Sequence, residues 1–325
     1  MGRNLTVGIV SDIHYASSAE QARGNDYDWR ELTNPLLRML VRIHRRHFWL
    51  REPLNQNHLL DEFLETAASL DYLVANGDYS CNTASLGLSD EAAFQSTQEC
   101  LHKLRQKFGP NLRVTLGDHE LGKISFFGGR GGMRLASWRR AQEDLGLQPF
   151  WQLELGNWVL IGLTSSLVAL PVFAPDTLPA ELAHWERLRA EHLAQIRRAF
   201  EALTQEKRVL LFCHDPTALP FLWAEEVIRS RLLQIEQTII GHLHSRLILW
   251  KSRVLAGIPR IGFLGHTAKR LSTALHQGRR WRPFRVRLCP SLAGIELLKD
   301  GGYLTVELDS EGTQPAKFRF HRLPR

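Results

Sequence analysis

The segment IIGHLHS, residues 239–245, runs a β-branched pair into a glycine and then into His242 and His244. In extended backbone alternate side chains fall on one side, so the two imidazoles are expected to face one point, with a shared cation as the natural occupant. Four earlier segments end in the same manner, with a short apolar run followed by Asp or His. They are LTVGIVSDIH (5–14), LDYLVANGD (70–78), LRVTLGDHE (112–120) and RVLLFCHD (208–215). Asp12, His14, Asp78, Asp118, His119 and His214 all stand at the ends of such runs. A two-metal site needs a bridging oxygen ligand, several imidazoles or carboxylates, and open positions for water and substrate. Imidazole and carboxylate without thiolate suit Mn, Fe or Zn, and do not suit a structural zinc.

Strands must deliver these residues. Runs 5–10, 70–75, 112–116 and 208–213, and a run ending at 241, read as buried strands. Helices are expected over 57–70, 89–107, 134–145, 181–204 and 224–234, and a strand pair over 150–155 and 158–164. The connection after the first strand is long, because a few residues and one helix suffice for a βα crossover. Residues 16–64 therefore read as a helical insertion, a cap over the site. In it Leu36, Leu37, Leu40, Val41, Ile43 and His44 recur at helical spacing after Asn34-Pro35, and the aromatic cluster HFWL (47–50) follows. This apolar stripe is expected to pack into the core, with cover for a lipid-like group as the alternative. The C-terminal part reads as β: ILWKSRVLAG, FRVRLCPSLAG, then GIELLKDGGYLTVEL as a hairpin around Gly-Gly. Residues 1–325 form one domain on this reading.

Hydrophobic residues make up 44% of the chain and charged ones 23%, near the averages of globular proteins, so a buried core is attainable. No window approaches the run of about 20 apolar residues of a membrane span. The start, MGRNLTVGIVSD, leads straight into a strand without the features of a secretory signal. It matches the loose myristoylation pattern, but Gly2 lies too close to the strand to favour it. Cys81, Cys100, Cys213 and Cys289 are widely spaced and read as free thiols of a reducing, cytoplasmic compartment. The net charge of +7 is uneven. Residues 38–51 carry Arg38, Arg42, Arg45, Arg46 and Arg51 without an acid, and residues 251–290 carry ten Lys or Arg without one. Such blocks imply an anionic partner, or else a solvated basic surface.

In this order the motifs Asp12-Ile13-His14, Gly77-Asp78, Gly117-Asp118-His119-Glu120, His214-Asp215-Pro216 and Gly241-His242-Leu243-His244 resemble those of the calcineurin-like metallophosphoesterases. The resemblance spans residues 5–310 and includes a closing hairpin like GGYLTVELD. It implies an α/β fold, a four-layer α/β/β/α sandwich of two mixed sheets flanked by helices. It also implies two divalent metal ions, with Mn preferred and Fe or Zn as alternatives. Asp12, His14 and His244 would hold the first, Asp118, His214 and His242 the second, and Asp78 would bridge them. His119 would act beside the phosphate as general acid or electrostatic clamp, and a hydroxide formed between the ions would attack phosphorus in line. One position departs from the pattern: the family has Asn where this chain has Asp118. A carboxylate cannot donate a hydrogen bond as an amide does, and it adds a negative charge, which favours a phosphodiester or diphosphate over a phosphate dianion.

The loop Gly128-Gly129-Arg130-Gly131-Gly132 offers backbone N–H groups and a guanidinium to an anionic phosphoester substrate. Three functional readings follow. The first is hydrolysis of a nucleotide- or lipid-linked metabolite, as in the UDP-diacylglucosamine hydrolases of lipid A synthesis that belong to this family. Such an enzyme works at the inner membrane face, where residues 38–51 and 251–290 would meet anionic lipid. The second is a nuclease, since basic stripes track phosphate backbones. The third is a catalytically silent scaffold. His44 and His47 lack carboxylate partners nearby and read as surface residues, and His266, in a second Gly-His without a following histidine, reads as structural.

Overall fold

The computed structural model describes residues 4–67, 69–125, 129–259 and 266–323, the last segment without the side chains of 266–271. Ten strands form two five-stranded sheets among these residues. The first contains β1 (Asn4–Val10), β2 (Tyr72–Asn76), β3 (Leu112–Thr115), β9 (Gly302–Asp309) and β10 (Lys317–Arg322), in the order β10-β9-β1-β2-β3. The second runs β4-β5-β6-β7-β8: Phe150–Leu155, Trp158–Leu163, Arg208–Cys213, Ile235–Ile240 and Val286–Leu288. Strands β1, β2 and β3 are parallel, as are β5 to β8, while β4, β9 and β10 pair antiparallel.

The central strands β1, β2, β5 and β6 are largely apolar because both faces are covered. Val7, Ile9, Val74, Leu160, Leu210, Phe212, Ile239, Leu304 and Val306 form the core between the sheets, joined by Trp151 and Trp158. Alternate residues point outward: Leu73, Ala75, Val159, Ile161, Val209 and Leu211 share a second core with Leu59, Phe63, Leu101, Leu104, Leu193, Ile196 and Phe200. Those partners lie on helices Asn57–Thr66, Glu91–Phe108 and Leu182–Glu201. The result is the four-layer α/β/β/α sandwich. The carboxyl ends of the parallel strands form a common edge, where open α/β sheets bind their ligands.

Helix Pro35–His44 forms as its spacing predicts, and the Asn34 side chain caps it by accepting from the N–H groups of Leu36 and Leu37. Its apolar stripe does not enter the core. Leu36, Met39, Leu40 and Ile43 are 61, 51, 53 and 49% exposed, and only Val41 of this helix is buried. Sequence spacing reports amphipathicity without saying what covers the apolar face.

Two further expectations fail at the C-terminal side. ILWKSRVLAG is largely helix, Arg246–Val254, with Ser245 accepting from the N–H of Leu247 at its start. The β-branched and aromatic residues there are too few to outweigh this cap and the turn before it. The Gly-Gly pair makes no hairpin: Gly302 opens β9, which pairs antiparallel with β1 and β10, while residues 294–300 are irregular. The stretch 224–234 is shorter and broken, as helices Leu219–Ala224 and Glu226–Ser230.

Candidate metal centre

Five strand ends converge on one spot. Asp12 and His14 follow β1, Asp78 follows β2, Asp118 follows β3, His214 follows β6, and His242 and His244 follow β7. The edge is continued beyond the strands: the N–H groups of Asp12 and His14 donate to the carbonyls of Gly77 and Asp78 at 3.0 and 3.1 Å. Asp12, His14, Asp78, His242 and His244 all adopt left-handed φ, between 51° and 60°. That region is sparsely populated by non-glycine residues and costs energy, so its recurrence here marks a site that the surrounding packing holds in place.

The His242–His244 expectation needs correction. The segment is a tight turn, with Leu243 N–H to Gly241 O and Ser245 N–H to Leu243 O both 2.6 Å. The two rings do not share a partner set. One group of potential ligand atoms, all within 4.8 Å of one another, comes from Asp12, His14 and His244; the other comes from Asp78, Asp118, His214 and His242.

In the first group the Nε2 atoms of His14 and His244 are 3.3 Å apart, and Asp12 Oδ1 lies 3.3 Å from His244 Nε2 and 4.0 Å from His14 Nε2. Asp12 is braced by the Ser11 hydroxyl (2.6 Å) and the His242 N–H (2.9 Å). In the second group His214 Nε2 is 3.1 Å from Asp78 Oδ2 and 3.4 Å from Asp118 Oδ1, and His242 Nδ1 is 3.0 Å from Asp118 Oδ1.

Backbone carbonyls aim several rings. His14 and His119 both donate Nδ1–H to Ser80 O, and His214 donates to Asn76 O, which leaves Nε2 turned inward, as ligating histidines require. Glu120 does the same for the backbone: its carboxylate accepts from the N–H groups of Gly117, Asp78 and Tyr79 at 2.8, 3.0 and 2.8 Å. Burial raises its carboxyl to about 7. Burial lowers His14 and His119 to about 4, so both are neutral near pH 7. His242 moves the other way: burial opposes the shift, but Asp118 and Asp215 raise it to about 9.

The glycines of two motifs are steric requirements. A Cβ on Gly117 would lie 2.2 Å from Asp78 Oδ1, and one on Gly241 would lie 2.0 Å from Ser11 Oγ and 2.4 Å from Asp12 Oδ2.

Three buried atoms, Asp78 Oδ2, Asp118 Oδ2 and His214 Nε2, have no hydrogen-bond partner. Buried polar atoms are almost always paired. Carboxylate and imidazole atoms converging without hydrogen bonds fit divalent cations, so the residues of a dinuclear metal site are present.

His119 lies outside both groups, its Nε2 3.6 Å from Asp78 Oδ2 and its ring centroid 4.7 Å from that of His14. The expected substrate-binding loop behaves differently. Arg130 pairs with Glu31, and its other guanidinium contact is Tyr27 O at 3.5 Å, so it is directed away from the cluster. Ile124 bridges to Gly131 and Gly129 stands open to solvent, while Gly128 lies outside the described residues. The loop instead seats Lys123, whose Nζ is 3.2 Å from Asp118 Oδ2. No motif pointed to Lys123. Trp49 was likewise only part of an aromatic cluster, and its ring packs 4.8 Å from that of His244.

The family model for calcineurin-like phosphoesterases matches residues 5–246, which include every residue of both groups. The chain belongs to that family. Calcineurin-like phosphoesterases hydrolyse phosphoesters, and this chain carries the residues of a hydrolase of that class. A solved structure gives the fold independently. A dimetal phosphatase from Danio rerio is similar over 94% of this chain and 92% of its own, with 14% identity and a TM-score of 0.51. A phosphopantetheinyl hydrolase from Mycobacterium tuberculosis also matches, over 75% of this chain and 84% of its own, with 16% identity and a TM-score of 0.34. No curated protein matches the chain. No helix among the described residues is long and apolar enough to cross a membrane.

Proposed function

We propose that this calcineurin-like phosphoesterase is a two-metal phosphohydrolase in which Asp12, His14 and His244 hold one ion, Asp118, His214 and His242 hold the other, and Asp78 serves both. The observation that carries this reading is the pair of ligand groups built from five strand ends, with Asp78 Oδ2 and His214 Nε2 buried and unpaired between them. The donor set suits Mn, Fe or Zn, and the family resemblance inclines us to Mn. Bound there, the ions supply positive charge for the phosphoryl oxygens and an activated water as nucleophile. The protein's own residues orient and exclude. His119, neutral through burial, faces the cluster through Nε2. An anionic phosphate beside it favours its protonated form, from which it donates to the leaving oxygen.

The substrate we favour is a phosphodiester or diphosphate linked to a lipid or nucleotide, resembling that of a UDP-diacylglucosamine hydrolase. Support comes from the rim. The exposed stripe Leu36, Met39, Leu40 and Ile43 leads through the Arg45–Trp49 turn to Trp49, which touches His244. Arg38, Arg42 and Arg46 are exposed beside it, and Lys251 lies 5.0 Å over the Phe48 ring. An apolar face bordered by arginines suits the cytoplasmic surface of an anionic membrane. The four buried, unpaired cysteines suit the same reducing compartment. A nuclease is less favoured, because the rim is apolar as well as basic.

The test is turnover of bis(p-nitrophenyl) phosphate by protein loaded with Mn, Zn or Fe, alongside metal analysis. Two bound ions without turnover on any phosphoester would leave the scaffold reading. Activity stimulated by anionic vesicles and lost with Leu40→Glu would support the lipid-linked substrate. Cleavage of DNA or RNA that falls steeply with salt would replace that substrate with nucleic acid.

A further inference from the structure

Asp118 divides its carboxylate between two tasks. Oδ1 faces the imidazoles, 3.0 Å from His242 Nδ1 and 3.4 Å from His214 Nε2. Oδ2 faces Lys123 Nζ at 3.2 Å. The carboxylate is 3% exposed, whereas the lysine side chain is 27% exposed, so the ammonium stands at the mouth of the cluster. The fold holds it there. Lys123 follows Gly122, whose N–H closes the short helix Asp118–Leu121, and it precedes Ile124, which bridges to Gly131.

We infer that Lys123 is the substrate-phosphate anchor of this site, acting with Asp118 in place of a single asparagine. This rests on the two-metal reading above. An asparagine at 118 would present one carbonyl oxygen toward the imidazoles and one N–H₂ donor on the other side, with no charge. Here Oδ1 takes the place of that oxygen, and Lys123 supplies N–H donors beside the position that Oδ2 has made acceptor-only. The ammonium also cancels the added negative charge. The ammonium carries three N–H donors, which leaves donors for the non-bridging oxygens of a bound phosphate.

The experiment measures inorganic phosphate binding by calorimetry, with metal content determined on the same samples, for metal-loaded wild type, Lys123→Met, Asp118→Asn and the double variant. Lys123→Met is expected to keep both ions and to lose roughly 10- to 100-fold in phosphate affinity, the usual cost of a charge-assisted hydrogen bond. Adding Asp118→Asn to it is expected to return the affinity to within a few fold of wild type, since the amide restores the donor and removes the charge. If Lys123→Met lowers the melting temperature, Lys123→Gln is compared in the same way. Unchanged phosphate affinity in the lysine variants overturns the inference. So does a double variant no better than Lys123→Met alone. A wild-type protein that takes up no metal overturns the two-metal reading itself, and the inference with it.

Discussion

His14 and His119 are aimed by the same atom: each donates Nδ1–H to the carbonyl oxygen of Ser80, at 3.2 and 2.8 Å. Only one of them then meets a ligand group. His14 Nε2 turns toward His244 and Asp12, while His119 Nε2 lies 3.6 Å from Asp78 Oδ2 without joining either group. His14→Ala should therefore lose metal, and His119→Ala should keep two ions while kcat falls about 10²–10⁴-fold. Elemental analysis beside steady-state kinetics separates the two. Metal loss from His119→Ala, with normal kcat after reconstitution, would reverse its assignment.

Asp78→Asn should abolish turnover and reduce occupancy of both positions, because the residue is shared. Two ions per chain with wild-type activity in this variant would remove the bridging role.

Gly241→Ala inserts a methyl group 2.0 Å from Ser11 Oγ and 2.4 Å from Asp12 Oδ2. Overpacking of this kind costs typically about 1–3 kcal/mol, and here the displaced atoms are a ligand and its brace. Metal binding should weaken and the melting temperature should fall. An unaltered melting curve in metal-free buffer would show that the β7 end can move aside.

His192 gives a pH dependence away from the metal centre. Buried on helix Leu182–Glu201, it accepts from the Thr164 N–H at 3.1 Å through Nε2, and burial lowers it to about 4. A histidine depressed in the folded state stabilises above its unfolded pKa of about 6.5 and loses that contribution as pH falls toward 4. The loss should reach roughly 3 kcal/mol at the acid end of that window. His192→Gln should flatten the melting temperature between pH 6.5 and 4. An equally steep curve in the variant would assign the acid sensitivity elsewhere.

The strand ends were legible because their residues are apolar on both faces and then switch abruptly to Asp or His. Asp12, Asp78 and His214 lie where that switch places them. Lys123 was not legible, since a lysine after Gly122 reads as an ordinary solvated residue until the turn to Gly131 fixes its direction. Arg130 shows the converse. Glycines on both sides made it look like an anion cradle, but Glu31, 99 positions away, takes its guanidinium. The helix at Arg246–Val254 was missed because its start depends on the Ser245 side chain, a local bond that an apolar count cannot register. The stripe of Leu36, Leu40 and Ile43 was wrongly expected in the core for another reason: periodicity defines a face, and only the arrangement of neighbouring layers says whether it is covered.

The pairing of β1 has a consequence for how the protein must be made. β1 is bonded to β2 on one side, Val7 opposite Tyr72, and to β9 on the other, Asn4 opposite Asp309. β1 thus waits until β9 has been made before its second edge is covered. Through that interval Val7 and Ile9, wholly buried in the finished core, lie beside a row of open N–H and C=O groups. An uncovered apolar edge of this kind is a template for pairing with other chains. Truncation before residue 302 should therefore yield insoluble protein even though every metal-site residue is present, and slowed translation or a chaperone that masks strand edges should raise the soluble yield of residues 1–325.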